Sequence, residues 1–382
     1  MRVVKLLVIA AFLLVLILIF IKHSEKALAA SRCSDILANT SASKFRRWLV
    51  AKHTKIEGSP VQQEEIEFPI AYAISAYECF SCLENLLRVI YRKHNLHCIH
   101  LDLTTPNSMI QKVIHLKNTY GQNVFLVPDE QRITVKWGYF SVLESVLICA
   151  NLLRINSDYK WKYLLNVNEK EFPLRTNWEI VKSLKALNGS NLVEGMQYRQ
   201  IAERVPRGKA SFNFTWIKGS LLVALRRDFV NYLFTNKYPM EILDLLRAER
   251  NERRVQDELF FSTLAYNPHL GAPGACLKIH QPNKSDWRST FLARYVIWQE
   301  GSCPSGLAVH DVCILGWNDI PNLIKQPHLF ANKFLPNFEP GAYKCMQRWI
   351  DEKGWAEGIR LGVDPEFDVK YYSEAYCSRE HI

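Results

Sequence analysis

The 382-residue chain contains no Asp-x-Asp, no HExxH and no glycine-rich Walker loop. The first absence leaves a nucleotide diphosphate without its usual aspartate-held divalent ion. The second removes the helix-borne zinc site of a metalloprotease, and the third the backbone cradle of a P-loop enzyme. No run of lysine and arginine exceeds three residues, so the formal charge of +10 is spread over the surface and gives no concentrated tract for nucleic acid. Internal repeats and low-complexity tracts are absent, and beyond residue 21 the chain is too polar to span a bilayer.

The one long apolar run lies at the start. Arg2 and Lys5 precede an uncharged stretch from Leu6 to Ile21, closed by Lys22 and His23. As a helix it rises about 24 Å, short of a roughly 30 Å hydrocarbon core unless the flanking lysines snorkel. The charge order implies a cytosolic tail at 1–5, a signal-anchor helix at 6–21, a luminal stem at 22–67, a catalytic domain at 68–353 and a loosely attached tail at 354–382. Ala27-Leu28-Ala29 also suits a cleaved signal peptide, which would leave the same body outside the cytosol.

The body fits an oxidising, glycosylating compartment. Asn39, Asn188, Asn213 and Asn283 each open an Asn-x-Ser/Thr sequon. Ten cysteines are ordinary for an oxidised chain and many for a cytosolic one. Cys79-Phe80-Ser81-Cys82 has the spacing of a redox or metal pair, but no second CxxC or histidine cluster accompanies it.

A hydrophobic content of 48% suffices for a large core. From Phe68 short apolar runs alternate with amphipathic stretches. Strands are predicted at 68–75, 98–103, 123–127 and 161–166, and helices at 83–91, 108–116, 139–153 and 178–187. This alternation predicts an α/β domain with a parallel or mixed sheet covered on both faces. The second half is less regular, with strands expected at 219–225 and 307–315 and helices at 255–265 and 320–325.

Ligands in such sheets sit beyond the carboxyl ends of the strands. Asp102 ends Cys98-Ile99-His100-Leu101 and is placed either to bind a sugar or ribose hydroxyl or to cap a turn. Glu258, in Gln256-Asp257-Glu258-Leu259-Phe260-Phe261, opens an aromatic-rich helix where partial desolvation suits a general base. Asp257 would be its partner, and the competing explanation is the preference of carboxylates for a first helical turn. Lys333, among aromatics in Leu329-Phe330-Ala331-Asn332-Lys333-Phe334, either snorkels or neutralises a diphosphate leaving group.

At these residues the chain resembles the β-1,6-N-acetylglucosaminyltransferases, the core 2 and I-branching enzymes, with the peptide O-xylosyltransferases as distant relatives. The resemblance rests on six fragments in order: Phe68-Pro69-Ile70-Ala71-Tyr72, Cys98 to Asp102, Trp161-Lys162-Tyr163-Leu164-Leu165-Asn166, Phe172-Pro173-Leu174-Arg175-Thr176-Asn177, Asp257-Glu258, and His328 to Phe334. It implies a GT-A type domain behind a type II Golgi anchor, inverting and metal-independent, with no cofactor beyond the UDP-sugar co-substrate. Glu258 would deprotonate the acceptor 6-hydroxyl, Lys333 would meet the diphosphate, and Asp102 the uridine ribose. Trp298, Arg204 and, with a one-residue shift, Glu194 match acceptor contacts, although Trp298 also suits a buried structural role. The resemblance pairs Cys98 with Cys149, Cys303 with Cys313 and Cys33 with Cys345, leaving Cys79, Cys82, Cys276 and Cys377 unassigned.

Departures cluster on the donor side. His310 replaces a second diphosphate cation, Leu103 and Thr104 replace a basic pair, and Tyr77 and Glu78 stand where two histidines flank the uracil. Trp137 could compensate by stacking in the donor pocket, or be a core residue. The implied function is transfer of N-acetylglucosamine from UDP-GlcNAc to a core 1 O-glycan or glycoprotein. The alternatives are another donor, UDP-glucose or UDP-xylose, and an inactive luminal glycan-binding or scaffold protein. Expected partners are the donor, the glycan acceptor and the membrane, with a homodimer left open and nucleic acid excluded.

Overall fold

A computed structural model describes residues 2–51, 61–156, 158–196, 202–280, 283, 285–299, 302–335 and 337–382. Its centre is a five-stranded sheet of β1 (Ile70–Ala76), β2 (Leu96–Leu101), β3 (Val124–Leu126), β4 (Tyr163–Asn168) and β6 (Ala224–Arg226), while β5 is Glu171–Pro173. The order is β3-β2-β1-β4-β6. The first four strands run parallel and β6 pairs antiparallel with β4, giving the mixed sheet flanked by helices that the alternation predicts.

The two-residue period of β1 sorts its side chains between two cores. Ile70, Tyr72 and Ile74 pack with Leu83, Leu86 and Leu87 of helix Phe80–Ile90 and with Met109 and Val113 of helix Asn107–Tyr120. Ala71 and Ala73 face the opposite core, with Leu143, Leu147 and Ala150 of helix Ser141–Ile155. The Cys98–Cys149 disulfide staples β2 to that helix.

A second sheet has the order β5-β10-β7, with β7 at Arg294–Val296 and β10 at Phe330–Asn332. Its core includes Phe172, Leu174, Phe334, Met346 and Trp349, the last two from helix Pro340–Arg360.

Several expectations are corrected. The segment expected to form a stem contains helices: Arg2–Leu37 runs through the apolar segment and beyond, and Ser41–Ala51 follows. Cys33 and Leu37 are buried in the third core, and Cys33 is bonded to Cys345 of helix Pro340–Arg360. The rest of the expected stem up to residue 60 lies outside the described residues. Among the described residues, no helix is long and apolar enough to cross a membrane.

The C-terminal segment is not loosely attached. Helix Pro340–Arg360 crosses the expected boundary, Tyr372 is fully buried, the Ile382 N–H donates to the Ala275 carbonyl at 3.0 Å, and Cys377 is bonded to Cys276. Cys79 and Cys82 also pair with each other, so all ten cysteines are in disulfides, including the expected Cys303–Cys313.

The predicted helix 255–265 is two elements, a 3₁₀ turn Gln256–Glu258 and a helix Phe260–Ala265. The predicted strand 307–315 is a hairpin of β8 (Ala308–Val309) and β9 (Val312–Cys313), turned by His310 and Asp311. Both turn residues have positive φ, 52° and 61°, as a two-residue loop with the twist of its flanking strands requires. Of 219–225, only Ala224 and Leu225 belong to a strand, β6.

Candidate active site

The site begins beyond the carboxyl ends of β1, β2 and β4. After β1, the N–H groups of Tyr77, Glu78 and Cys79 donate to the Glu169 carboxylate at 3.3, 3.2 and 3.3 Å. Glu169 lies in the turn between β4 and β5, and burial pushes its pKa up to about 7 against those bonds and the nearby Lys170. Lys170, next in the turn, donates to the Tyr77 hydroxyl at 2.6 Å and to Glu78 at 2.5 Å. Tyr77 remains exposed on this rim.

Asp102, after β2, accepts from the Thr104 N–H at 2.7 Å and hydroxyl at 2.5 Å, and from the Val135 N–H at 2.6 Å. Burial alone would raise its pKa, but these bonds outweigh it and hold the carboxyl below its ordinary value. Asp102 thus caps the turn after β2 and braces the segment leading to Trp137, so the capping role weighed for it is realised.

Trp137 is half exposed and no core residue. Its ring stacks on His310 with centroids 4.8 Å apart, and the Arg253 guanidinium lies 4.5 Å from its centroid. Lys333 reaches the same hairpin, its ammonium donating to the Val309 carbonyl at 3.0 Å. Burial, with repulsion from Lys170, lowers the Lys333 pKa. The residues expected around the donor therefore converge: Tyr77 meets Lys170, which lies near Lys333, and Lys333 meets the hairpin that bears His310 and touches Trp137.

Glu258 is tied to that surface through the backbone. The Val255 N–H donates to the Gly138 carbonyl at 2.8 Å, joining the 3₁₀ turn to the residue after Trp137. That contact accompanies a left-handed Val255, φ 52°, unusual for a β-branched residue and the point where the predicted helix breaks. The Glu258 carboxylate pairs with Arg204 and with Lys218, the latter at 3.3 Å. Its carbonyl accepts from the Gly219 N–H at 2.8 Å. A side chain at Gly219 would put a Cβ 2.0 Å from the Glu194 carbonyl, so this close approach demands glycine.

Burial raises the pKa of Glu194, with Lys218 opposing and Glu258 adding to the rise. Asp257 is half-buried, and desolvation of its carboxyl plus the adjacent Glu258 push it up to about 7. Glu194, Arg204 and Glu258 thus form one charged cluster with Asp257 and Lys218. Trp298 is 57% exposed, which removes the buried structural role. It bridges to Val312 and so joins its segment to the hairpin of His310.

Sequence reasoning missed Lys170, Glu169, Lys218 and Arg253. Asn168-Glu169-Lys170-Glu171, charged residues following a predicted strand, was the available clue for the first two. The four sequon asparagines are all exposed.

Residues 70–324 match the model of the Core-2/I-Branching enzyme family, about two thirds of the chain. The chain belongs to this family. Its relatives include a zebrafish (Danio rerio) β-1,3-galactosyl-O-glycosyl-glycoprotein β-1,6-N-acetylglucosaminyltransferase 4, 28% identical over 326 residues, 78% of this chain and 74% of the relative. A human N-acetyllactosaminide β-1,6-N-acetylglucosaminyl-transferase is 30% identical over 326 residues, 78% and 76% of the two chains. A human β-1,3-galactosyl-O-glycosyl-glycoprotein β-1,6-N-acetylglucosaminyltransferase is 29% identical over 329 residues, 79% and 74%.

As a Core-2/I-branching enzyme the chain is a glycosyltransferase of the hexosyltransferase class. The family match takes in Asp102, Glu258 and His310 and stops short of Lys333. In this branching enzyme the Glu258 carboxylate and the Lys333 ammonium stand at two ends of one contact chain.

Proposed function

We propose that the protein transfers N-acetylglucosamine from UDP-GlcNAc, with inversion and without metal, to the 6-hydroxyl of a core 1 O-glycan on a glycoprotein. The observation that carries this reading is the connection of Glu258 through Val255 and Gly138 to the surface of Trp137, His310 and Lys333. Glu258 takes the hydroxyl proton while the acceptor oxygen attacks the anomeric carbon. The bond to the β-phosphate oxygen breaks, and UDP leaves with the electron pair. Fixed ammonium charge stabilises the departing diphosphate as an ion otherwise would. Asp102 lies at the ribose and Tyr77, Trp137 and His310 along the donor, while Glu194, Arg204 and Trp298 receive the acceptor. The names of the relatives support the donor and the linkage.

A GT-A type domain in the Golgi lumen, held by the Leu6–Ile21 anchor, is the setting that the flanking charges, the sequons and the disulfides support. Pairing with a second copy would be read by sedimentation of the same preparation.

A second reading, another UDP-sugar such as UDP-glucose or UDP-xylose, is favoured by one observation. Thr104, at a position where the resemblance expects a basic residue, spends its hydroxyl and N–H on Asp102. Transfer by the full-length protein to galactosyl-N-acetylgalactosamine, with a panel of UDP-sugars and EDTA present, decides between them. Product from UDP-GlcNAc supports the first reading and product from another donor the second. UDP binding without product from any donor, with or without manganese, would sink both.

A further inference from the structure

The diphosphate has one well-placed cation in Lys333, and the expected second position holds His310, whose ring lies against Trp137. A different side chain supplies a permanent charge nearby. Lys170 sits at the carboxyl end of β4, and its carbonyl accepts from the Phe334 N–H at 2.8 Å, which sets it beside Lys333. The two ammonium groups are close enough for Lys170 to oppose the charge of Lys333.

Two cations held together in a partly buried place need an anion. In the free protein that anion is Glu78, 2.5 Å from the Lys170 ammonium, while the Tyr77 ring lies beneath it at 4.6 Å from the centroid. The two partners differ in exposure: the Lys170 side chain is 13% exposed and that of Glu78 is 56% exposed. The other nearby carboxyl, Glu169, is occupied by three backbone N–H groups.

We propose that Lys170 is the second cation of the diphosphate seat and that Glu78 fills this seat until the nucleotide displaces it. The proposal rests on the nucleotide-sugar reading above. A solvent-facing carboxylate is released from an ion pair at little cost, whereas a diphosphate brings more charge and more acceptor oxygens to the same two lysines. Glu78 also disfavours weak anions by competing with them. The change at Tyr77 and Glu78 and the change at His310 are then two sides of one rearrangement, in which charge moves from the hairpin to the turn after β4.

The test is calorimetric titration of UDP and of uridine into the full-length protein and its Lys170→Gln, Lys170→Arg, Glu78→Gln and Lys333→Ala variants. Losing one charged contact should weaken UDP about tenfold or more in Lys170→Gln while uridine changes less than about twofold. Lys170→Arg should keep most of the UDP affinity, and Glu78→Gln should strengthen UDP binding severalfold.

Equal losses for UDP and uridine in Lys170→Gln would mean that the lysine merely supports the fold, and would overturn the proposal. Unchanged UDP binding in Lys170→Gln beside weakened binding in Lys333→Ala would also overturn it, leaving the nucleotide reading in place. Weaker UDP binding in Glu78→Gln would remove the competing role. If the unaltered protein does not bind UDP, or Lys333→Ala binds it normally, the nucleotide reading itself fails and takes the proposal with it.

Discussion

The guanidinium of Arg204 rests on the carboxylate of Glu258, so an acceptor-side cation and the proposed base hold each other before any substrate arrives. An acceptor hydroxyl must take that place, which couples sugar binding to exposure of the base.

Glu258→Gln should lower transfer by about 10² to 10⁴ and leave UDP affinity unchanged, as removal of a general base does. Arg204→Ala should reduce kcat/KM for the acceptor by about tenfold or more, also without effect on UDP. Steady-state kinetics with both substrates varied, beside UDP titration, checks the pair. Near-normal turnover in Glu258→Gln would move the base elsewhere.

Asp257 gives a pH test with a definite sign. Its pKa rises from 3.8 to about 7 on folding, because burial and Glu258 disfavour the charge. The folded protein therefore binds the proton more tightly than the unfolded chain, and this contribution is full below the unfolded value and lost as pH rises through about 4 to 7. Asp257→Asn cannot lose it, so the variant should gain on the unaltered protein across that window by on the order of a few kcal/mol. Melting temperatures at about pH 5 and pH 8 measure the gain, and parallel profiles would contradict it.

Trp137 should matter through its ring face. Trp137→Ala removes the partner of both His310 and Arg253 and should weaken UDP-sugar binding by about tenfold, whereas Trp137→Phe should keep most of it. Equal affinities for the two variants would show that the ring does not shape the donor pocket.

The Cys276–Cys377 bridge spans 101 residues and ties the C-terminal segment to the domain. Replacing both cysteines by serine should cost about 2–4 kcal/mol, chiefly by freeing the unfolded chain. Denaturant unfolding checks this, and an unchanged midpoint would show that packing around Tyr372 suffices alone.

Local pattern carried the first half of the fold. The strands β1, β2, β3 and β4 and the helices between them were legible because each is a short periodic segment whose apolar residues face one or both cores. Helix Pro340–Arg360 was not. It buries Ala342 and Met346 together with Glu352, Lys353 and Glu357, so it shows no clean apolar stripe, and its charges are sheltered by partners such as Glu179, 174 residues away. The break at Val255 was hidden for the same reason, since its left-handed turn goes with a bond to Gly138, 117 residues earlier in the chain.

The amino-acid sequence by itself determined the α/β class and the family resemblance, because residue type and order suffice for these. Only the tertiary structure decided which charges meet: Lys170 with Glu78, Arg204 and Lys218 with Glu258, and His310 with Trp137. Electrostatic and stacking partners depend on distances of a few ångströms between segments far apart in the chain, and no local spacing encodes those distances.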